Sequence, residues 1–296
     1  MEEFQGIPGA ESWVRIEPVL KGWSDDREFY IEDKAGRKLL LRLSPGWKLQ
    51  DKQAEYEAVK RFNLLDFPMS RAMDCGTCGK GKYSYMLLTW VEGRPLEEVL
   101  PELDVAEQHR LGIDAGRILR EIHSLPGADA PEDWEGSQQA KILARIREYE
   151  ECPYRVEGDG QAAAFVKEHV GLIHQVKKVY QHGDFHIGNL IYTPEGGIGV
   201  IDFNRWDIGD YADEFCKLQM FDRERSIPFA RGRVLEKTGA VCSLYLVIFH
   251  QVVHPVRVCR YRKHDCPLQA GDGRLRAIYN MDSALVHGFI LICGKH

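Results

Sequence analysis

The stretch His182-Gly-Asp-Phe-His-Ile-Gly-Asn-Leu-Ile-Tyr-Thr-Pro-Glu-Gly-Gly-Ile-Gly-Val-Ile-Asp-Phe203 decides how the rest of the chain is read. Asp184 and Asn189 lie five residues apart on a segment holding two glycines. Leu190, Ile191 and Tyr192 predict a short strand, and Thr193-Pro-Glu-Gly-Gly197 is strong turn chemistry. Ile198 to Ile201 predicts the return strand, which ends on Asp202. Such a hairpin carries Asp202 back beside Asn189. A carboxylate able to accept a hydroxyl proton then stands next to an amide oxygen and a second carboxylate. The last two are hard oxygen ligands, suited to magnesium held by one or two carboxylates plus substrate phosphates. The plainer alternative is a polar hairpin whose Asp and Asn only make turns. Three functional positions, two glycines and a hairpin at this spacing argue against it.

This arrangement follows the logic of phosphoryl transfer in kinases, where a catalytic Asp and a metal-binding Asn share one loop and an Asp-Phe pair follows. The stretch resembles the Brenner-type motif of the aminoglycoside phosphotransferase family and its relatives among small-molecule kinases. Those families write H-G-D-x-x-x-x-N where protein kinases write H-R-D-x-x-x-x-N. The resemblance implies an α+β, bilobal, protein-kinase-like fold. A small β-rich N-lobe would span residues 1–92, and a larger, mainly helical C-lobe residues 93–296. It implies Asp184 as the catalytic base and Asn189 and Asp202 as magnesium ligands.

The rest of the chain supplies the supporting signals. Trp13 to Asp33 predicts two strands around Lys21-Gly-Trp-Ser-Asp-Asp26. In the family this hairpin covers the nucleotide phosphates, and the Ser24 hydroxyl with backbone N–H groups would bind them. Lys38 to Leu43 is a leucine-rich strand carrying Arg42, either an edge-strand Arg facing solvent or a buried charge that needs a partner. The resemblance places Arg42 where kinases hold a phosphate-binding Lys. The helix predicted over Asp51 to Leu65 offers Glu55 near its apolar face as the partner, whereas Glu57 fits a surface pair with Arg61 better. Tyr83 to Val91 predicts a strand that breaks at Gly93, like a kinase hinge. There Thr89 C=O and Val91 N–H would read the adenine edge.

Helices are predicted over Asp104 to Leu125, Ala140 to Glu150 and Gln161 to Val176. The last two lie where the family inserts helices that help form the acceptor site. Past Asp202 the chain enters a Gly-Asp turn and a helix almost at once, with no room for the long activation loop of a protein kinase, which argues for a small acceptor. Asp207, Asp210, Asp213 and Glu214 fall within eight residues. They would attract an aminated acceptor, or else cap and charge the start of that helix.

Charged residues make up 28% of the 296-residue chain and hydrophobic ones 44%, ordinary values for a globular protein. The formal charge of -6 gives no reason to expect nucleic acid as a partner. The N-terminus carries no signal-peptide pattern, and the longest apolar run, about Val241 to Val253, is too short to span a bilayer. A cytoplasmic protein is expected. Cys75-Gly-Thr-Cys78 has no second ligand pair at zinc spacing, so it predicts a hairpin turn with reduced thiols. From about residue 232 the character changes. Arg231 to His296 holds ten Lys or Arg against four Asp or Glu, and its helical periodicity fades. This atypical tail, 232–296, reads either as a change of reading frame near Gly232 to Lys237 or as a divergent substrate-binding end.

The implied reaction is transfer of the γ-phosphoryl group of ATP, or of GTP, to a hydroxyl of a small aminated molecule. The acceptor would be an aminoglycoside-type antibiotic or a metabolite of the kind used by choline, fructosamine or homoserine kinases. The rival outside enzymes is a kinase-like protein that binds nucleotide without turnover because its acceptor site is altered.

Overall fold

The computed structural model describes residues 2–20, 26–151, 159–173, 176–215 and 225–235. Two compact units divide the described residues, one holding those up to Asp129 and from Lys178 on, the other those within Ala130–Lys177.

The first unit opens with a five-stranded antiparallel sheet in the order β1-β2-β3-β5-β4. Its strands are β1 (Trp13–Val19), β2 (Arg27–Asp33), β3 (Lys38–Pro45), β4 (Ala72–Cys78) and β5 (Tyr83–Thr89). Period-two alternation sorts their side chains. Phe29 and Ile31 of β2 and Leu39, Leu41 and Leu43 of β3 bury on one face with Phe4 and Tyr85. Glu28 and Arg42 face each other directly across the β2–β3 ladder. The helix α1 (Leu49–Phe62) starts two residues before the predicted Asp51 and ends at Phe62, short of the predicted Leu65. It packs Ala58, Val59 and Phe62 into a second core with Met86 and Leu88 of β5.

Cys75 and Cys78 do not form a turn. They sit on β4, and the turn is made by the glycine-rich residues after it, with Lys80 and both flanking glycines at positive φ. The two thiols are free, and burial pushes each up to about 11.

After β5 come the two-residue strand β6 (Arg94–Pro95), the short helix α2 (Leu96–Val99) and the long helix α3 (Val105–Ser124). Asp104 caps α3 by accepting the Glu107 N–H at 2.8 Å. The chain returns to this unit as β7 (Lys178–Gln181), then β8 (Leu190–Tyr192), β9 (Ile198–Val200) and β10 (Asp207–Asp210). β8 and β9 form the predicted hairpin, with Leu190 opposite Val200. β10 pairs antiparallel with β7. A strand therefore stands where a Gly-Asp turn was predicted, and a 3₁₀ turn, Tyr211–Phe215, follows it; the rest of the predicted helix lies outside the described residues.

The last described element, α6 (Ile227–Leu235), packs along α3. A Cβ at Gly112 would come within 2.1 Å of Phe229 O, and one at Gly232 within 2.3 Å of His109 O, so each glycine lets the facing backbone approach. Arg233 is fully buried there. The packed segment thus runs past the predicted start of the tail at residue 232. Residues 236–296, on which the tail reading rests, lie outside the described ones.

The second unit contains α4 (Trp134–Glu150), which starts six residues before the predicted Ala140, and α5 (Asp159–His169) with a 3₁₀ turn after it. Ile146, Ala163 and Val166 form its small core, and Tyr149 OH donates to Asp159 Oδ2 at 2.8 Å. No helix among the described residues is long and apolar enough to cross a membrane.

Candidate active site

β7 delivers His182 into a loop built on backbone contacts. Gly183 has φ +77°, and a Cβ there would lie 1.7 Å from Arg205 O, so no side chain fits. The Gly183 N–H donates to Glu214 Oε1 at 2.6 Å. His182 Nδ1 accepts the Asp184 N–H at 3.2 Å, which leaves Nε2 to donate to Ile201 O at 3.0 Å. That pattern fits the neutral imidazole, one nitrogen accepting and one donating. His182 thus ties the start of the loop to the end of the β8–β9 hairpin.

Asp184 is buried, with its carboxylate between two cationic or ionisable neighbours. His186 Nε2 lies 3.4 Å from Oδ1, and Arg205 Nε lies 3.5 Å from Oδ2. Asn189 donates its side-chain N–H to Asp184 O at 2.9 Å, so its amide nitrogen is tied to the loop backbone. Ile201 N–H donates to Asn189 O at 3.1 Å. The hairpin therefore brings Asp202 back beside Asn189, as the turn chemistry predicts. Asp202 has φ +63°, a conformation Asp tolerates better than most residues. The turned backbone aims its carboxylate at Arg42, 3.4 Å away. Burial pushes the Asp202 carboxyl above its usual range, and the Arg42 charge offsets part of that.

Arg42 lies at the centre of a buried ionic cluster. Its Nη1 donates to Glu55 Oε1 at 2.7 Å, so the structure contains the predicted pair. Three further acids surround the guanidinium: Glu28 at 3.2 Å, Asp26 at 3.4 Å and Asp202. A second cation, Lys52, stands beside it. Lys52 Nζ donates to Glu55 Oε2 at 2.8 Å and also bonds Asp26, which in turn accepts the Ser44 hydroxyl. Burial would raise the Asp26 carboxyl, but the bonds from Lys52 and Ser44 hold it below its usual range. Glu28, with no such bonds, is pushed up by burial.

The other predicted residues divide. Ser24 lies outside the described residues. β5 ends on Thr89, whose Oγ1 accepts the Arg71 N–H at 2.9 Å. The following N–H, of Trp90, is taken by Lys38 O, and Val91 continues beyond the strand. Asp207 is exposed, and its Oδ1 accepts the Ile208 N–H. Asp210 closes β10 opposite Lys178, just ahead of the 3₁₀ turn Tyr211–Phe215. Glu214 is a correction. It is buried, and its carboxylate holds Gly183 N–H while its backbone carbonyl accepts from Arg233 at 2.8 Å. These bonds tie it to the loop at Gly183 rather than leaving it in an exposed acidic patch.

Sequence reasoning missed Lys52, Asp26, Glu28 and Arg205. One signal for Lys52 was present: it precedes Glu55 by three residues, which puts both on one helix face. Asp26, Glu28 and Arg205 join the site only through tertiary pairing.

A β-sheet over a helix that pairs with its third strand, followed by this loop and hairpin, defines a kinase-like phosphotransferase. The phosphotransferase enzyme family matches residues 15–237, and the chain belongs to it. Solved structures of aminoglycoside phosphotransferases share the protein-kinase-like fold. That of APH(3'')-Id from Streptomyces rimosus, solved also with ADP and streptomycin, has a TM-score of 0.55 at 18% identity, covering 81% of this chain and 92% of that one. The gentamicin complex of APH(2")-IIa has a TM-score of 0.61 at 16% identity, covering 96% and 92%. A mutant of aminoglycoside 2'-phosphotransferase IIIa bound to GDP has a TM-score of 0.64 at 16% identity, covering 86% and 88%. No curated protein matches the chain in sequence.

Proposed function

We propose that this protein transfers the γ-phosphoryl group of ATP to a hydroxyl of a small molecule carrying amines. The observation that carries the reading is the single loop and hairpin in which Asp184, Asn189 and Asp202 are tied together, with Asp202 aimed at Arg42. Nucleotide complexes of structures with the same fold, with ADP, GDP and ATP, support a nucleotide as donor.

The donor set suits magnesium. Asp202 offers a carboxylate and Asn189 an amide oxygen, and the described residues hold no group of three or more His, Cys, Asp or Glu that would form an all-protein cage. Magnesium typically takes one or two protein oxygens plus phosphates. When bound, it would neutralise charge on the phosphates. Arg42 would bind phosphate oxygens, held in place by Glu55. Thr89 and Val91 would contact the base by their backbone, and Ser24 would contribute above the phosphates.

Asp184 would orient the acceptor hydroxyl and take its proton, with His186 and Arg205 fixing the carboxylate. Catalysis then comes mainly from positioning and charge. Asp207 and Asp210 would draw acceptor amines by charge. Compounds named in solved relatives, gentamicin and streptomycin, define the acceptor class to try first.

The test is ADP release from magnesium-ATP across aminoglycosides, macrolides and amino alcohols, with nucleotide binding measured in parallel. Stimulation by one class is expected. Tight binding of nucleotide with no stimulation by any acceptor would favour a kinase-like protein without turnover.

A further inference from the structure

The ionic cluster holds more than a phosphate site of one cation and one acid requires. Four carboxylates, Asp26, Glu28, Glu55 and Asp202, surround two cations, Arg42 and Lys52. The cluster joins β2, β3, α1 and the segment after β9. Both cations are almost wholly buried, at 2% and 5% exposed. Glu55 is shared, one oxygen on each cation: Oε1 on Arg42 at 2.7 Å and Oε2 on Lys52 at 2.8 Å. Lys52 also holds Asp26, the first described residue after the 21–25 segment.

This division of labour decides what Arg42 can offer an anion. Counted as ionised, the cluster carries two net negative charges. Without Lys52 it would carry three, and Arg42 alone would answer four carboxylates. A buried cation answering that many acids is drawn to them, and its attraction for an incoming phosphate falls. Lys52 holds Oε2 of Glu55 and Oδ2 of Asp26, whose Oδ1 accepts the Ser44 hydroxyl. Arg42 is then oriented by Glu55 on Nη1 and Glu28 on Nε, with Asp202 and Asp26 farther off at 3.4 Å from Nη1 and Nη2.

We propose that Lys52 is a positioning residue of the nucleotide-phosphate site, acting through Glu55 and Asp26 to keep the Arg42 guanidinium oriented and electrostatically available to phosphate. The proposal rests on the nucleotide-binding reading above. It predicts that nucleotide affinity depends on charge balance at Asp26 and Lys52 together, and not on Lys52 as a phosphate ligand.

The experiment measures magnesium-ATP affinity, steady-state KM and kcat, and thermal unfolding for the wild type, Lys52→Met, Lys52→Arg and the double variant Asp26→Asn with Lys52→Met. Lys52→Met is expected to weaken nucleotide binding by roughly ten-fold or more, the range for a charged hydrogen-bond network, with KM rising more than kcat falls. Lys52→Arg should recover most of the affinity. The double variant, which restores two net negative charges, should also recover it. Should Lys52→Met fail to fold, the double variant decides by its affinity alone. Wild-type affinity in a folded Lys52→Met would overturn the proposal. So would a folded double variant as weak as, or weaker than, the roughly ten-fold loss, since that makes Lys52 a direct phosphate ligand. A wild type that binds no nucleotide would instead overturn the phosphotransfer reading, and this proposal with it.

Discussion

At the scale of single residues, the course of the loop from His182 to Phe203 was readable because the turn and hairpin that set it are local. Asp184 and Asn189 share one turn, and Thr193 to Gly197 closes a short hairpin that brings Asp202 back. Replacing Asp184 with Asn keeps the shape and removes the proton acceptor. It should lower kcat by about 100-fold or more, the usual range for a general base, while nucleotide affinity stays within about three-fold of wild type; equal turnover in the variant would remove Asp184 from its role. Gly183→Ala should fare worse than an ordinary glycine substitution, because its Cβ meets Arg205 O at 1.7 Å. A loss of more than about 3 kcal/mol in denaturant unfolding is expected, beyond the common range for point changes. Lys52, Asp26 and Glu28 were not readable in this way. Asp26 and Glu28 meet partners on other elements, and although Lys52 stands three residues before Glu55 on α1, that spacing alone does not separate a buried pair from one that faces water.

At the scale of elements, the reading went wrong where one acid was judged by its neighbours in sequence. Glu214 stands among Asp207, Asp210 and Asp213, and the cluster looked like an acceptor lure. The fold turns Glu214 inward instead, onto Gly183 N–H, and backs it with Arg233 of α6, which stacks over Phe185 and Phe215. The loop from His182 is thus braced by Glu214 and the last described helix. Glu214→Ala should lower kcat more than it raises the nucleotide KM, and Glu214→Gln, which keeps an acceptor for Gly183 N–H, should retain more activity; equal effects of both would argue against the brace. Phe203 has a similar task on the other side. It stacks on Phe62 of α1 with ring centroids 4.9 Å apart and packs on His182. Phe203→Ala should cost about 3–5 kcal/mol, as for other buried aromatics, read from chemical denaturation. The cysteine pair was misplaced for a simpler reason. Its glycine drew the turn to Cys75-Gly-Thr-Cys78, while the true turn used the glycines immediately after.

At the scale of the whole molecule, composition excluded little and confirmed an ordinary globular chain, whereas the order of elements carried the fold. Sheet, helix, hinge strand, long helix, loop and hairpin follow one another as the sequence predicts, and the boundaries move by a few residues where caps or tertiary packing override periodicity. The strand β10 was hidden because Asp207-Ile-Gly-Asp210 has almost no strand signal of its own, and its pairing with β7 supplies it. Burial of the two described thiols gives a pH dependence. Their folded values stand near 11 against 9.0 for a free thiol. Their contribution to stability is complete below pH 9.0 and is lost as pH rises through about 11. The unfolding midpoint should therefore fall across that window, and at pH 8 neither Cys75 nor Cys78 should react quickly with iodoacetamide in the folded protein. Magnesium-ATP at about 100 times its Kd should stabilise the fold by about 2.7 kcal/mol, and a chelator should remove most of that gain.

The measurement that bears most directly on the central claim is transfer of radiolabelled γ-phosphoryl from ATP to an acceptor, run with the wild type and Asp184→Asn across the same acceptor panel. The account predicts label on one class of hydroxyl-bearing, aminated acceptor with the wild type and almost none with Asp184→Asn, while both bind magnesium-ATP. Label transferred equally by both proteins, or nucleotide binding absent from the wild type, would contradict it.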